Sequence, residues 1–498
     1  MLFHSYVFLF VFLPVVLAGF AVLSRLAGRR AALGWLVAGS LFYYGWWNPP
    51  YLALLGGSMA FNFAVGLRLQ RADPAGGGGL LAAGVAVNLG LLGWFKYAGF
   101  LADSINAATG AGLPSPEVIL PVGISFFTFQ QIAFLVDARR GEAREVRFLD
   151  YCLFVTFFPQ LIAGPIVHHA EMLPQFLRRR AGALSARDLA LGGTLFLVGL
   201  FKKVVLADNA ALFATPVFAA ADGGSHPAFA EAWIGTLAYT LQLYFDFSGY
   251  SDMAIGLGRM FGIRLPLNFH SPYKAVTVVD FWRRWHMTLS RFLRDYLYFP
   301  LGGNLRGPVR RYGNLMATML LGGLWHGAGW TFVAWGCLHG LYLCANHAWA
   351  AAARRLGWAA ERPGVLRVAA ARGATFLAVA VAWVFFRAET FAGAGRLLAG
   401  LSGSSGFAAA ETIEAGRALP WVIPLLAVVW FLPNTQQWAR RWRPALEYGR
   451  EDGGWGEAPV PDRAAWRPTV AWALAMVVLG TVTIAQMAKA SEFIYYQF

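Results

Sequence analysis

The chain has 498 residues, of which 58% are hydrophobic and only 13% charged, and its mean hydropathy is +0.51. A soluble chain of this length carries about 25% charged residues, so the composition excludes a soluble enzyme and predicts an all-α polytopic membrane protein. The formal net charge of +15 would suggest nucleic acid in a soluble domain. Here much of it is local to one segment, and no nucleic-acid partner is expected.

Apolar runs of about 17 to 25 residues cross the hydrocarbon, and the first are predicted near 5–24, 31–47, 51–67 and 79–100. The chain opens MLFHSYVFLF with no Lys or Arg, and Arg25, Arg29 and Arg30 follow the apolar run, the wrong polarity for a cleaved signal peptide. The positive-inside rule then puts the N-terminus outside and the first loop in the cytoplasm. Later loops alternate accordingly: 68–75 carries Arg68 and Arg71, whereas 101–117 carries Asp103 and Glu117 and no base. The GGGG at 76–79 has no Lys with it and reads as a flexible cytoplasmic turn. The stretches 118–136 and 148–166 are apolar but interrupted by Pro121, Gly123, Pro159, Gly164 and Pro165. They are expected to be re-entrant, because irregular backbone persists at membrane depth only where protein or a water-filled cavity covers it.

Further spans are predicted near 188–206, 232–258, 312–350 (two), 368–386, 419–432 and 469–488, for a total of about ten to thirteen crossings. The loop 445–468 is a Gly/Pro/charge-rich connector, and neither a soluble domain nor an internal repeat is seen. The whole of 1–498 reads as one membrane domain: N-terminal helices over 1–117, a core over 118–350 and C-terminal helices over 351–498.

Residues 259–311 hold ten Lys or Arg against Asp280 and Asp295, while 207–231 holds Asp208, Asp222 and Glu231 and no base. The basic segment is a cytoplasmic face, explained by topology and anionic lipid or by an anionic cytosolic substrate. On a helical wheel, Phe281, Trp285, Leu289, Phe292 and Tyr296 of DFWRRWHMTLSRFLRDYLYF share one face. Arg283, Arg284, Arg291 and Arg294 share the other, the pattern of an interfacial amphipathic helix. His286 falls on the border, either a snorkelling anchor or an imidazole turned into a cavity.

The span LLGGLWHGAGWTFVAWGCLHG holds His326 and His339. On one continuous helix they would stand about 20 Å apart and about 220° out of phase, so they form no direct pair unless Gly327 and Gly329 break the helix. An ionisable group within a span is a functional hypothesis by default. For His326, beside Trp325 and several glycines, the readings are a proton acceptor or a neutral imidazole bonded between helices. His339 reads as structural. A neutral buried imidazole suits proton abstraction from a hydroxyl, a step that acyl transfer from a thioester requires. Asp246 and Asp252, about 240° out of phase on a helix, are either partners of Lys202 and Lys203 or part of a proton or cation path.

Other chemistries find no support. Cys152, Cys337 and Cys344 form no CxxC pair, no HExxH, Walker A or GxSxG pattern occurs, and no metal or bound cofactor is expected. Haem ligation by His326 with His339 or His347 is a minor alternative.

The chain resembles the membrane-bound O-acyltransferase family, and within it the bacterial branch that includes alginate O-acetyltransferases. The matching blocks are SYVFLFVFLPVVL, LPVGISFFTFQ, FFPQLIAGPIVHHAEMLPQF, GLFKKVVLADN, LQLYFDFSGYSDMAIGLGRMFGIRLPLNFHSPY, DFWRRWHMTLSRFLRDYLYFPLGGN, GGLWHGAGWTFVAWGCLHG, WVFFRA and FIYYQF. The resemblance implies a ring of transmembrane and re-entrant helices around a thin central funnel. It implies His326 as the catalytic histidine, joined by His286 near the cytoplasmic mouth, with Arg283, Arg284, Arg291 and Arg294 as candidates for the CoA phosphates. Asn268, Trp325, His339, Asp246 and Asp252 are supporting candidates. It further implies acetyl-CoA as donor substrate, a bacterial inner (cytoplasmic) membrane and a polysaccharide such as alginate as acceptor. A periplasmic SGNH-hydrolase-like partner and polysaccharide export machinery would then act in trans. Relatives that acetylate peptidoglycan or move D-alanine to teichoic acid supply alternative acceptors, and a transporter with a buried His/Asp path is the alternative of another class.

Overall fold

The structure, a computed structural model, describes residues 1–72, 76–143, 146–177, 184–358, 364–407, 412–447, 460–489 and 494. The middle of the 445–468 connector and all of FIYYQF except Ile494 lie outside the described residues. The helices are α1 (Leu13–Leu26), α2 (Gly28–Gly45), α3 (Tyr51–Arg71), α4 (Gly78–Leu92), α5 (Ala98–Thr109), α6 (Ile124–Arg139) and α7 (Phe148–Thr156). They continue with α8 (Phe158–Leu161), α9 (His169–Leu177), α10 (Ala186–Phe201), α11 (Asp208–Asp222), α12 (Phe229–Met260), α13 (Val278–Arg284) and α14 (Met287–Leu293). The remainder are α15 (Gly307–His326), α16 (Trp330–Arg355), α17 (Val365–Arg387), α18 (Phe391–Ser402), α19 (Ala415–Phe431), α20 (Thr435–Trp438) and α21 (Val470–Gln486). No strand occurs among the described residues.

Among the described residues, five stretches are long and apolar enough to cross a membrane: Phe8–Leu26, Tyr51–Arg71, Gly78–Thr109, Ala186–Asp222 and Val365–Arg387. The other expected spans are also helical, but α19 and α21 are shorter, and α2, α12, α15 and α16 are less apolar. Large apolar side chains point outwards along α21, where Val470, Leu474, Val477 and Val478 are each more than 60% exposed. Their helical spacing makes a lipid-facing stripe. The protein is thus a multi-pass membrane protein.

Two compact units divide the chain. The first comprises Met1–Leu200, Tyr250–Leu267 and Ala439–Ala488. Its interior is tied by buried amides. Asn62 and Asn88 each donate to the other's side-chain oxygen, at 3.1 and 2.7 Å, and Asn62 Nδ2 also donates to Gln131 Oε1 at 2.8 Å. Such bonds join α3, α4 and α6 where lipid offers no competing partner, at about 1 kcal/mol each. As the prolines and glycines predict, the apolar stretch at 118–136 turns at left-handed Gly123 (φ 76°) before α6 begins, and the one at 148–166 breaks at Phe157 between α7 and α8.

The second unit comprises Phe201–Gly249, Asn268–Trp438 and Lys489–Phe498. It contains the α15–α16 hairpin. A Cβ on Gly323 would run into the Phe332 carbonyl, and one on Gly336 into the Met319 carbonyl. The two backbones therefore touch directly, as small residues allow between membrane helices.

Candidate active site

The interfacial helix expected across Phe281 to Tyr296 is not continuous. Thr277 Oγ1 accepts the Asp280 N–H at 3.0 Å and caps α13, but Trp285 is extended and His286 is left-handed (φ 41°, ψ 53°). The break has a long-range cause. His270 N–H donates to the Arg284 carbonyl at 2.9 Å, and Met287 N–H donates to the Asn268 carbonyl at 3.0 Å. These bonds clamp the 284–287 backbone to 268–270. A left-handed residue other than glycine costs about 1–3 kcal/mol and concentrates at functional sites.

The break overturns the wheel reading. His286 is fully buried rather than on a border between faces. Nor do the four arginines share an outward face. Arg283 and Arg294 are exposed, Arg291 is half-buried and Arg284 is buried. Arg284 Nε donates to Asp280 Oδ1 at 2.8 Å and its Nη1 to the His270 carbonyl at 3.4 Å, so it holds the clamp together. Arg294 pairs with Asp295 at 2.7 Å.

His326 is the last residue of α15, and extended Gly327 (φ −160°, ψ 147°) ends the helix there. A Cβ at 327 would overlap the Phe332 ring, which would have to move to admit it. The break that Gly327 and Gly329 allow does occur, and α16 returns antiparallel. His326, 2% exposed, meets Trp325, Trp335 and Phe386 at ring-centroid distances of 4.9, 5.1 and 5.3 Å. The His286 ring lies 6.1 Å from that of His326 and 5.9 Å from that of Trp325, and Phe247 closes on it edge-on at 4.8 Å. The fold thus brings His286, His326 and Trp325 into one aromatic enclosure.

Asn268, fully buried, accepts from its surroundings through Oδ1. His286 Nδ1 lies 3.0 Å from that oxygen, Thr288 Oγ1 3.0 Å and Thr288 N 3.4 Å. His339 sits one layer away. Trp282 Nε1–H donates to its Nδ1 at 3.2 Å, and Trp335 stands 4.8 Å from its ring. A ring nitrogen that accepts from an indole carries no proton, so His339 is a neutral, packed imidazole in this arrangement.

The two aspartates separate in role. Lys203 Nζ lies 2.8 Å from Asp246 Oδ1 and 2.8 Å from Asp208 Oδ1, and Lys203 and Asp246 are each 1% exposed. Asp246 Oδ2 also accepts the Ile494 N–H at 3.1 Å. This is the pairing alternative to a proton path. Asp252 is buried further along α12. Among the described residues no three His, Cys, Asp or Glu side chains cluster as metal ligands.

Trp335, Trp383, Phe386, Phe247 and Thr288 complete the surroundings and were not singled out from the sequence. Trp335 and His339 at i and i+4, and Trp383 and Phe386 at i and i+3, carry a spacing that places each pair on one helix face. Only the fold shows that these faces converge, with Trp335 and Trp383 stacked at 5.6 Å.

The sequence pattern of the MBOAT, membrane-bound O-acyltransferase family, matches residues 115–381, which contain both histidines and Asn268 but not Trp383 and Phe386. A peptidoglycan O-acetyltransferase of Helicobacter pylori is 46% identical over 433 residues, covering 82% of this chain and 80% of that protein. A probable alginate O-acetylase AlgI of Pseudomonas syringae is 40% identical over 471 residues, covering 92% of this chain and 87% of that protein. A protein of the same name from Pseudomonas putida is 44% identical over 406 residues, covering 80% and 79%. With two buried imidazoles meeting inside the matched region of an all-helical membrane chain, the protein belongs to the membrane-bound O-acyltransferase family and is an acyltransferase.

Proposed function

We propose that the protein takes the acetyl group of cytoplasmic acetyl-CoA and passes it across the bacterial inner membrane for O-acetylation of an exported polysaccharide, with His326 as the proton acceptor. The observation that carries the reading is the meeting of His286 and His326 in a buried aromatic enclosure. In the transfer, a hydroxyl oxygen adds to the thioester carbonyl as its proton passes to His326. The C–S bond then breaks, the proton goes to the CoA sulfur, and an ester and free CoA thiol result. Water exclusion by the surrounding tryptophans and phenylalanines favours the ester over hydrolysis. On the cytoplasmic side, exposed Arg283 and half-buried Arg291 are the arginines best placed for CoA phosphates, because Arg284 serves the backbone clamp.

An alginate-like polymer is the acceptor supported by the alginate O-acetylase relatives, with a periplasmic SGNH-hydrolase-like partner and export machinery acting in trans. Peptidoglycan is the second reading, favoured by the 46% identity to the Helicobacter pylori protein. The test is CoA release from acetyl-CoA by purified protein in nanodiscs, supplied with each polymer and a candidate partner. Release that stops in His326→Ala while the protein stays folded supports acyl transfer at this site. Equal release by wild type and His326→Ala removes His326 from the chemistry.

A further inference from the structure

The proton arrangement of His286 follows from its neighbours. One atom of the Asn268 amide faces three groups: the Thr288 backbone nitrogen at 3.4 Å, the Thr288 hydroxyl at 3.0 Å and His286 Nδ1 at 3.0 Å. A backbone N–H only donates, so the amide atom facing it is the oxygen and not the NH2 group, which settles which way the amide lies. That oxygen only accepts. His286 Nδ1 therefore carries a hydrogen, and in the neutral ring the lone pair is on Nε2.

From this geometry we infer that Asn268 is a positioning residue. It holds His286 as the Nδ1–H tautomer, so that Nε2 is the hydrogen-bond-accepting atom of the ring beside His326. The inference rests on the acyl-transfer reading above and extends it to the orientation of the second histidine. Three features make the hold firm. Asn268 and His286 are both fully buried, so water does not compete for Nδ1. The Asn268 carbonyl accepts the Met287 N–H at 3.0 Å, fixing the Asn268 backbone to the residue that follows the histidine. The left-handed backbone at His286 directs its side chain differently from those of α13 and α14, which it separates. With Nε2 unprotonated, the ring offers a hydrogen-bond acceptor beside His326 as His326 takes the hydroxyl proton, and the Nδ1 hydrogen stays bonded to Asn268 Oδ1. When the proton leaves His326 for the departing sulfur, the tautomer of His286 is unchanged and its ring has not turned. A histidine free to change tautomer would present a donor to the reacting centre in part of the molecules.

The experiment combines a spectrum with rates. Wild-type protein with 15N-labelled histidine in lipid bilayers is compared with His286→Gln to identify the His286 signals. The expected signature is a protonated Nδ1 and an unprotonated Nε2. In CoA release, Asn268→Leu is expected to lower kcat about 100-fold, within the range of general acid–base contributions, with KM for acetyl-CoA changed less than threefold (~0.6 kcal/mol). Asn268→Asp, which keeps an acceptor oxygen, is expected to recover most of the lost rate. Thermal melting of each variant separates these effects from unfolding. A protonated Nε2 in the wild-type spectrum overturns the inference. So does wild-type kcat in Asn268→Leu alongside an impaired His286→Ala. If His286→Ala and His326→Ala both release CoA at the wild-type rate, the acyl-transfer reading itself falls, and the catalytic part of the inference with it.

Discussion

The imidazole of His286 lies 6.1 Å from that of His326, although one rides on a left-handed connection between two short helices and the other ends α15. In the proposed acyl transfer, groups this close would act on one reacting centre, so their effects are not expected to add. Each alanine substitution should lower kcat by about 10²- to 10⁴-fold. The double variant should fall no more than about tenfold below the worse single one. Rates of CoA release around the double-mutant cycle check this, and losses that multiply would assign the residues to independent steps.

The hairpin that carries His326 depends on main chain touching main chain. Gly336→Ala places a methyl against the Met319 carbonyl, and a backbone atom cannot swing aside as a side-chain end can. The expected result is a loss of about 1–3 kcal/mol of stability, as for overpacked cores, together with a fall in kcat because α15 shifts. Gly313→Ala, on α15, has open space around it and should leave both unchanged. Thermal melts paired with rate assays distinguish the two.

The arginines of the basic segment should divide by burial. Arg284→Ala removes bonds to Asp280 and to the His270 carbonyl, and a lost bond to a charged group costs about 1.5–3 kcal/mol. Its effect should appear in the melting temperature. Exposed Arg283→Ala should raise KM for acetyl-CoA severalfold with kcat unchanged, the signature of lost ground-state binding. An unchanged KM would remove Arg283 from the CoA contacts.

Lys203→Met leaves Asp246 and Asp208 without their shared ammonium group. Removing one partner of a buried pair costs about 3–5 kcal/mol, so this variant should melt far below wild type. Lys203→Met with Asp246→Asn should recover part of the loss. A double variant less stable than Lys203→Met would show that an unpaired Asp246 carboxylate is not what destabilises the single variant.

The sequence revealed the spans and not the junction between them. The run at 51–67 became Tyr51–Arg71 and that at 368–386 became Val365–Arg387, because an apolar run long enough to cross is a local property. The interruption at Gly327 and Gly329 was visible for the same reason. The break at His286 was not. No glycine or proline stands at 285–287, and the turn is imposed by hydrogen bonds from residues 268–270, which a helical wheel does not include. Periodicity therefore placed His286 on the border between two faces and Arg284 on the polar one, where the fold buries both. The likeness to a family pointed to both histidines, but their approach to each other and to Asn268 is tertiary.

The contact of Gly323 with the α16 backbone also sets a ruler for His326, three residues further on. One residue inserted between them turns the imidazole by about 100° around the helix axis and carries it out of the enclosure. No side-chain change can compensate, because the register is held by main chain. The stretch from Gly323 to His326 is thus a place where the protein cannot accept a change of length. Variation in length between this chain and its relatives must be absorbed elsewhere.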